Sequence, residues 1–128
     1  MFVKDQMTVN PVTVTSATTI ADAAELMKKH RFRRLPVVDI GKLVGIVTDR
    51  DLRKASPSSA TTLSVHEADY LLSKALIKDI MTKKVLSIDS EATIEEAALL
   101  MYNNRIGGVP VVDTNQDVVG IITETDIF

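Results

Sequence analysis

The sequence predicts an α/β fold of the α+β type, made of two pseudo-symmetric repeats that each form a small sheet with two packed helices. The main observation is an internal repeat, because Leu-Pro-Val-Val-Asp at residues 35–39 returns as Val-Pro-Val-Val-Asp at 109–113. Gly-Ile-Val-Thr at 45–48 likewise returns as Gly-Ile-Ile-Thr at 120–123. Units of about 50 residues are marginal alone. We therefore expect the copies to pack face to face around a cleft.

Each copy opens with a predicted strand and a capped helix. Alternation of apolar residues predicts short strands at residues 12–14 and 85–88. The patterns Thr19-x-x-Asp22 and Thr93-x-x-Glu96 are close to capping boxes, which satisfy free amides at a helix start. The apolar residues that follow have helical spacing, which predicts a narrow apolar stripe: Ile20, Ala23, Ala24 and Met27 in the first copy, and Ile94, Ala97, Ala98 and Met101 in the second.

A predicted hairpin and a further helix complete each copy. Pro36 and Pro110 stop any helix and open strands at 37–38 and 111–112. The return strands are expected at 43–47 and 118–122, with helices beginning near Thr48 and Thr123. We expect the last helix to be cut short at Phe128, since its counterpart runs at least to Lys54.

These elements divide the chain into three parts: a first repeat at residues 1–55, a connector and linker helix at 56–76, and a second repeat at 77–128. Residues 54–62 are polar and rich in turn formers, which is typical of a flexible connector. Ser64-x-x-Glu67 is a further capping box and opens a helix that we expect to run through Lys78. This helix either packs on its own module or forms a dimer or partner surface.

Composition and missing motifs exclude several functions. The chain contains no Cys, which excludes disulfides and thiol nucleophiles and fits a reducing cytosol. No apolar run approaches the roughly 20 residues that span a membrane. The net charge of −2 disfavours nucleic acid as the main partner. His30 and His66 lack partners at metal-ligand spacing, and no catalytic motif is present. We expect a cytoplasmic domain that is not an enzyme.

Both motifs, h-P-V-V-D and G-I-h-T-x-x-D with h apolar, occur in both copies, and such a tandem resembles a pair of CBS domains, the Bateman module. Residues 48–57 and 121–128 are similar to bacterial acetoin-utilisation-type CBS proteins. The resemblance implies a regulatory homodimer that binds an adenosyl ligand between its repeats and acts on an unidentified protein. The implied ligands are AMP, ADP, ATP or S-adenosylmethionine, with or without magnesium, and no cofactor is covalently attached.

The resemblance also implies which residues form two sites. In each site the T-x-x-D motif of one repeat takes the ribose and phosphate, and segments of the other repeat cover the adenine. Carried over to this sequence, one site uses Thr48, Asp51 and Arg34 with Val85, Ile106 and Gly107. The pseudo-equivalent site uses Thr123 and Asp126 with Val12, Phe32 and Arg33.

The chemistry of Thr48 and Asp51 fits this role without the resemblance. A carboxylate can accept two hydrogen bonds from a ribose diol, and a threonine at a helix start can donate its hydroxyl to phosphate beside free amides. The alternative is an ordinary helix cap, which this chain also uses at Thr19 and Asp22. Both interpretations stay open at this point.

A basic run at residues 28–34 makes the two predicted sites unequal. Lys28 and Lys29 suit a helix end, where cations oppose the negative end of the dipole. Arg33 and Arg34 follow the helix, and the second copy has Gly-Gly at 107–108 in their place. We therefore expect the Asp51 site to prefer anionic nucleotides.

Two other classes of function compete with a nucleotide sensor. One is a dimerisation or protein-interaction module with a vestigial cleft, which loss of both Asp51 and Asp126 would favour, and the sequence retains both. The other is nucleic-acid binding through Arg31, Arg33 and Arg34, which would show steep salt dependence and indifference to adenosine.

Overall fold

The computed structural model describes residues 1–55, 67 and 73–128. Its helices are α1 (Val3–Gln6), α2 (Ile20–His30), α3 (Asp49–Ala55), α4 (Ile94–Asn104) and α5 (Glu124–Ile127), with a 3-10 helix at Ile77–Asp79. Its strands are β1 (Thr8–Val9), β2 (Arg34–Asp39), β3 (Lys42–Thr48), β4 (Ile88–Asp89), β5 (Gly108–Val112) and β6 (Val118–Thr123). The mixture of helices and small sheets confirms the predicted fold class.

The chain forms two compact units whose limits differ from those of the sequence repeats. The first-repeat unit comprises Thr13–Asp39 and Val44–Lys84. The second-repeat unit comprises Met1–Val12, Ile40–Leu43 and Val85–Phe128. Residues 1–12, which open the first repeat, therefore belong to the unit of the second repeat, and residues 77–84, which open the second repeat, belong to the unit of the first.

The second-repeat unit is built on a four-stranded sheet in the order β1-β6-β5-β4. Strand β6 pairs antiparallel with β1, where Thr8 lies opposite Ile121, and with β5. Strand β4 pairs parallel with β5, where Ile88 lies opposite Val111. Helix α4 buries Ala97 and Met101 in the core of this unit. The buried core consists of Val3, Ile88, Ala97, Met101, Val109, Val111 and Ile122.

The first-repeat unit contains the equivalent pairings around the two-stranded sheet of β2 and β3. Val14 forms a parallel bridge to Val37, as β4 does to β5, and Thr82 forms an antiparallel bridge to Ile46, as β1 does to β6. Its buried apolar residues are Val14, Ile20, Ala23, Met27, Leu35, Val37, Val47, Leu52 and Ile77. The internal repeat of the sequence is therefore also a repeat of strand pairing.

The two long helices begin where their sequences predict. The Thr19 hydroxyl accepts the Asp22 amide at 3.1 Å, and the Thr93 hydroxyl accepts the Glu96 amide at 3.2 Å. Both helices start at the following residue, so the capping predictions are confirmed. Each helix is followed by an arginine in the left-handed conformation, Arg31 with φ of 59° and Arg105 with φ of 54°.

Three predicted elements differ from the structure. At residues 12–14 only Val14 forms a bridge, and at 85–88 only Ile88 belongs to a strand, because few main-chain groups there reach a partner strand. The predicted linker helix does not continue through Lys78, since Leu76 leaves the helix to bridge Thr19 and a 3-10 helix follows. Its proposed start at Ser64 and the connector at 56–62 lie outside the described residues.

Each repeat has a glycine in the second strand of its hairpin, Gly45 in β3 and Gly120 in β6. A segment that contains a methionine crosses the strand in direct contact with this glycine. A Cβ atom on Gly120 would lie 2.5 Å from Met7 Sδ and 2.9 Å from the Thr8 carbonyl oxygen. A Cβ atom on Gly45 would lie 2.6 Å from Met81 Sδ and 3.0 Å from the Thr82 carbonyl oxygen. Real Cβ atoms essentially never approach another atom to less than 3.0 Å, and each glycine has at least one contact below that distance. The absence of a side chain is therefore what allows each crossing.

We expect Gly120→Ala to destabilise the second-repeat unit, because the new methyl group overlaps both the Met7 thioether and the Thr8 carbonyl. Overpacking of this kind costs about 1–3 kcal/mol, or roughly 4–12 °C in Tm for a domain of this size. Thermal unfolding of the variant measures the effect. As a control, Val9→Ala alters an exposed residue of the same segment and should leave Tm nearly unchanged. An unchanged Tm for Gly120→Ala would contradict the crossing.

Candidate functional site

The first T-x-x-D motif lies where β3 ends and α3 begins. The Thr48 amide donates to Asp51 Oδ2 at 2.9 Å, and the Asp51 amide donates to the Thr48 hydroxyl at 3.1 Å. Both residues are half-buried. This reciprocal pair of hydrogen bonds is a capping box, so the motif does cap α3. It leaves Asp51 Oδ1 and the Thr48 hydroxyl proton without a hydrogen-bond partner among the described residues.

The second motif occupies the equivalent junction of β6 and α5 but has different hydrogen bonds. The Thr123 amide donates to Asp126 Oδ2 at 2.8 Å, as in the first motif. The Thr123 hydroxyl also donates to that oxygen at 3.2 Å and lies 2.8 Å from the Thr125 hydroxyl. Its proton is therefore used within the motif, whereas the Thr48 proton is not. The two motifs share the hydrogen bond from the threonine amide to the aspartate and differ in the hydroxyl they offer.

The segment before each proline lies beside the T-x-x-D motif of its own repeat. The Asp49 amide donates to the Arg33 carbonyl oxygen at 2.8 Å. In the second repeat the Glu124 amide donates to the Gly107 carbonyl oxygen at 3.0 Å. Sequence reasoning missed this contact, because a main-chain carbonyl leaves no mark in a residue pattern. It positions an arginine-containing segment next to one motif and a glycine pair next to the other.

The second-repeat unit has a cavity of about 700 Å³ beside its motif. Two residues predicted to face adenine, Ile106 and Gly107, line it together with Glu124. The other lining residues come from α4 and the chain end: Ala98, Met101, Tyr102, Asn103, Arg105 and Phe128. The cavity offers both apolar walls and polar groups, which is typical of a small-molecule pocket.

The remaining predicted site residues fall in both units. Val12 and Val85 are half-buried in the second-repeat unit, which also holds Thr123 and Asp126. Phe32 is 41% exposed in the first-repeat unit, with its ring stacked on His30 at 5.3 Å. The first-repeat unit holds Thr48, Asp51, Arg33 and Arg34, of which Arg33 is exposed and Arg34 half-buried.

A cluster of metal-ligating side chains would indicate a metal site, and a long apolar helix would indicate a membrane span. Over residues 1–55, 67 and 73–128, no three His, Cys, Asp or Glu side chains come together in an arrangement suited to a metal ion. Within the same residues, no helix has the length and apolar character needed to cross a membrane.

Comparison with known proteins begins with the family model of the CBS domain, which matches this chain at residues 3–58 and 77–128. The CBS domain-containing protein YhcV of Bacillus subtilis is 34% identical over 125 residues, covering 98% of this chain and 81% of YhcV. The L-aspartate semialdehyde sulfurtransferase of Methanocaldococcus jannaschii is 37% identical over 126 residues, covering 98% of this chain. The chain spans 22% of that enzyme's length and less than half of several other curated relatives.

Solved structures match nearly the whole chain. The CBS domain pair of protein MJ0100, in complex with 5′-methylthioadenosine and S-adenosyl-L-methionine, has a TM-score of 0.80 at 37% identity, covering 99% of this chain and 96% of the other. CBSX2 of Arabidopsis thaliana in complex with AMP has a TM-score of 0.81 at 31% identity, covering 98% and 92%. A putative acetoin utilization protein of Vibrio cholerae has a TM-score of 0.82 at 35% identity, covering 98% and 86%.

The capping role of Thr48 is testable without any ligand. We expect Thr48→Val to lose the hydrogen bond from the Asp51 amide and to reduce the free energy of unfolding by about 1 kcal/mol. Thr48→Ser keeps the hydroxyl and serves as the matched control. Urea unfolding of both variants measures the difference. Equal stability of the valine and serine variants would mean that the observed cap contributes nothing to the fold.

Proposed function

Because this chain belongs to the CBS-domain family, we propose that it is a regulatory module that binds an adenosyl ligand with its T-x-x-D residues. The observation that carries the proposal is the junction of β3 and α3, where Asp51 Oδ1 and the Thr48 hydroxyl proton have no partner among the described residues. Relatives in complex with AMP, or with 5′-methylthioadenosine and S-adenosyl-L-methionine, support the adenosyl class of ligand.

The proposed contacts follow from the chemistry of these groups. A carboxylate can accept hydrogen bonds from both hydroxyls of a ribose. Asp51 already uses Oδ2 to accept the Thr48 amide, so its orientation is fixed before a ligand arrives. The Thr48 hydroxyl can then donate to a phosphate oxygen while it continues to accept the Asp51 amide. Capping and ligand binding are compatible in this arrangement.

The adenine end of each ligand is assigned by the family pattern. For the first site we propose Val85, Ile106 and Gly107. For the pseudo-equivalent site, where Thr123 and Asp126 take the ribose, we propose Val12, Phe32 and Arg33. Ile106 and Gly107 line the cavity of the second-repeat unit, and an apolar wall suits a base.

Unequal charge favours the first site for phosphate-bearing ligands. Arg34 belongs to the segment whose Arg33 carbonyl binds the Asp49 amide, and Gly108 occupies the equivalent position in the second repeat. A guanidinium strengthens hydrogen bonding to phosphate. The Thr123 hydroxyl is also engaged by Asp126. We therefore propose AMP, ADP or ATP for the first site.

Regulation requires that the ligand bind two states of the protein with different affinity. We propose that ligand binding stabilises one arrangement of a cytoplasmic homodimer and thereby alters an unidentified partner protein. The chain has no proposed catalytic role. A triphosphate with magnesium is included among the candidate ligands.

We expect AMP, ADP or ATP to raise the Tm of the chain and Asp51→Asn to abolish that rise. A ligand at 100 times its dissociation constant stabilises the native state by about 2.7 kcal/mol, or on the order of 10 °C here. A thermal-shift titration with these nucleotides and S-adenosylmethionine measures the effect. Asp126→Asn should leave nucleotide binding at the first site in place.

Asp22→Asn is the matched control, because Asp22 follows a capping threonine just as Asp51 does but has no proposed ligand. It should respond to nucleotide as the unmodified chain does. If Asp22→Asn and Asp51→Asn lose the shift equally, the motif acts only as a cap. If no adenosyl ligand shifts the Tm of the folded chain, an interaction module with a vestigial cleft is the better account.

A further inference from the structure

The C-terminal end of α2 concentrates positive charge on the surface of the first-repeat unit. We call residues 28–33 the basic turn. It contains four exposed cations, Lys28, Lys29, Arg31 and Arg33. Among the described residues, none of these four forms an ion pair with a carboxylate. The described carboxylates therefore do not neutralise this charge.

The basic turn is an ordered part of the fold. Arg31 adopts the left-handed conformation with φ of 59°, and the Arg31 and Phe32 amides both donate to the Met27 carbonyl oxygen. The rings of His30 and Phe32 stack at 5.3 Å with an interplanar angle of 13°. Hydrogen bonds and ring stacking thus fix the backbone that carries the cations.

The second repeat shows that the fold does not need this charge. Helix α4 ends with the same geometry, because Arg105 is left-handed and the Arg105 and Ile106 amides donate to the Met101 carbonyl oxygen. Residues 102–107 nevertheless read Tyr-Asn-Asn-Arg-Ile-Gly and carry a single cation. Compensation of the helix dipole applies equally to both helices. It therefore does not account for the difference in charge between the two helix ends.

We propose that the basic turn is a docking surface for an acidic segment of a partner protein. The whole chain has 15 basic and 17 acidic residues, so without these four cations 11 basic face 17 acidic residues. An acidic partner is repelled by this remainder and attracted to the turn, which localises the contact.

The charge distribution favours an acidic protein segment over nucleic acid. A nucleic-acid strand needs a basic track along several nucleotides, typically about 4–16 for one single-strand-binding fold. The basic turn occupies one helix end, and the rest of the chain carries excess negative charge. A few carboxylates of a peptide match this surface in both extent and charge.

The test compares two variants that remove the same charge from different places. The first is Lys28→Gln, Lys29→Asn and Arg31→Asn, in which asparagine at 29 copies the second repeat and asparagine at 31 tolerates the left-handed backbone. The second is Lys78→Gln, Lys83→Gln and Lys84→Asn, which alters three other exposed lysines of the same unit. None of the six residues belongs to the proposed nucleotide sites.

Fluorescence anisotropy with a labelled peptide of roughly ten glutamates, at low salt, measures binding. The unmodified chain and the second variant should bind with the same affinity within about twofold, and the first variant should bind at least about tenfold more weakly. If both variants bind the peptide equally weakly, binding depends only on the net charge of the chain, and the proposal is overturned. Tighter binding of a single-stranded thymidine oligonucleotide, lost in the first variant, would instead assign the turn to nucleic acid.

Discussion

Both candidate sites depend on one packing constraint. A segment that contains a methionine crosses, in direct contact, the glycine of the strand that leads into each T-x-x-D motif. Met7 and Thr8 pack on Gly120, and Met81 and Thr82 pack on Gly45. Each glycine lies three residues before the threonine of a T-x-x-D motif. The crossing therefore holds the strand whose end presents the threonine and aspartate. The same contact joins the opening segment of each repeat to the return strand of the other repeat.

On this common scaffold the two repeats have diverged at the groups that would meet a ligand. The Thr48 hydroxyl proton is unused by its motif, whereas Thr123 donates to Asp126. Arg34 corresponds to Gly108, and the basic turn at the end of α2 corresponds to residues 102–107 at the end of α4, which carry one cation. Backbone hydrogen bonds at these places are nevertheless the same in both repeats. The shared backbone hydrogen bonds therefore do not require these differences between the repeats.

Local signals in the sequence identified the elements that local interactions determine. Thr19 and Thr93 cap helices as expected, since a cap depends on residues three positions apart. The pairing of Thr8 with Ile121 was not foreseen, because it joins residues more than a hundred positions apart and no periodicity records it. The strands expected at 12–14 and 85–88 shrink for the same reason, since pairing depends on where a distant strand ends.

The same distinction holds for the candidate site. The positions of Thr48 and Asp51 at a strand-to-helix junction followed from the repeated pattern. The hydrogen bond from the Asp49 amide to the Arg33 carbonyl did not, because it depends on the folded backbone. The resemblance to CBS domains supplied the ligand class, which the residues alone left open between a cap and a binding site.

The most direct test of the central claim is an amide NMR titration of the intact chain with AMP. We expect saturable shifts that are largest for the amides of Thr48 and Asp51, since their hydrogen-bonding partners would contact ribose and phosphate. Saturable shifts confined to other parts of the chain would contradict the assigned site. No shift at any amide, at millimolar AMP, would contradict the proposal that the first site binds this nucleotide.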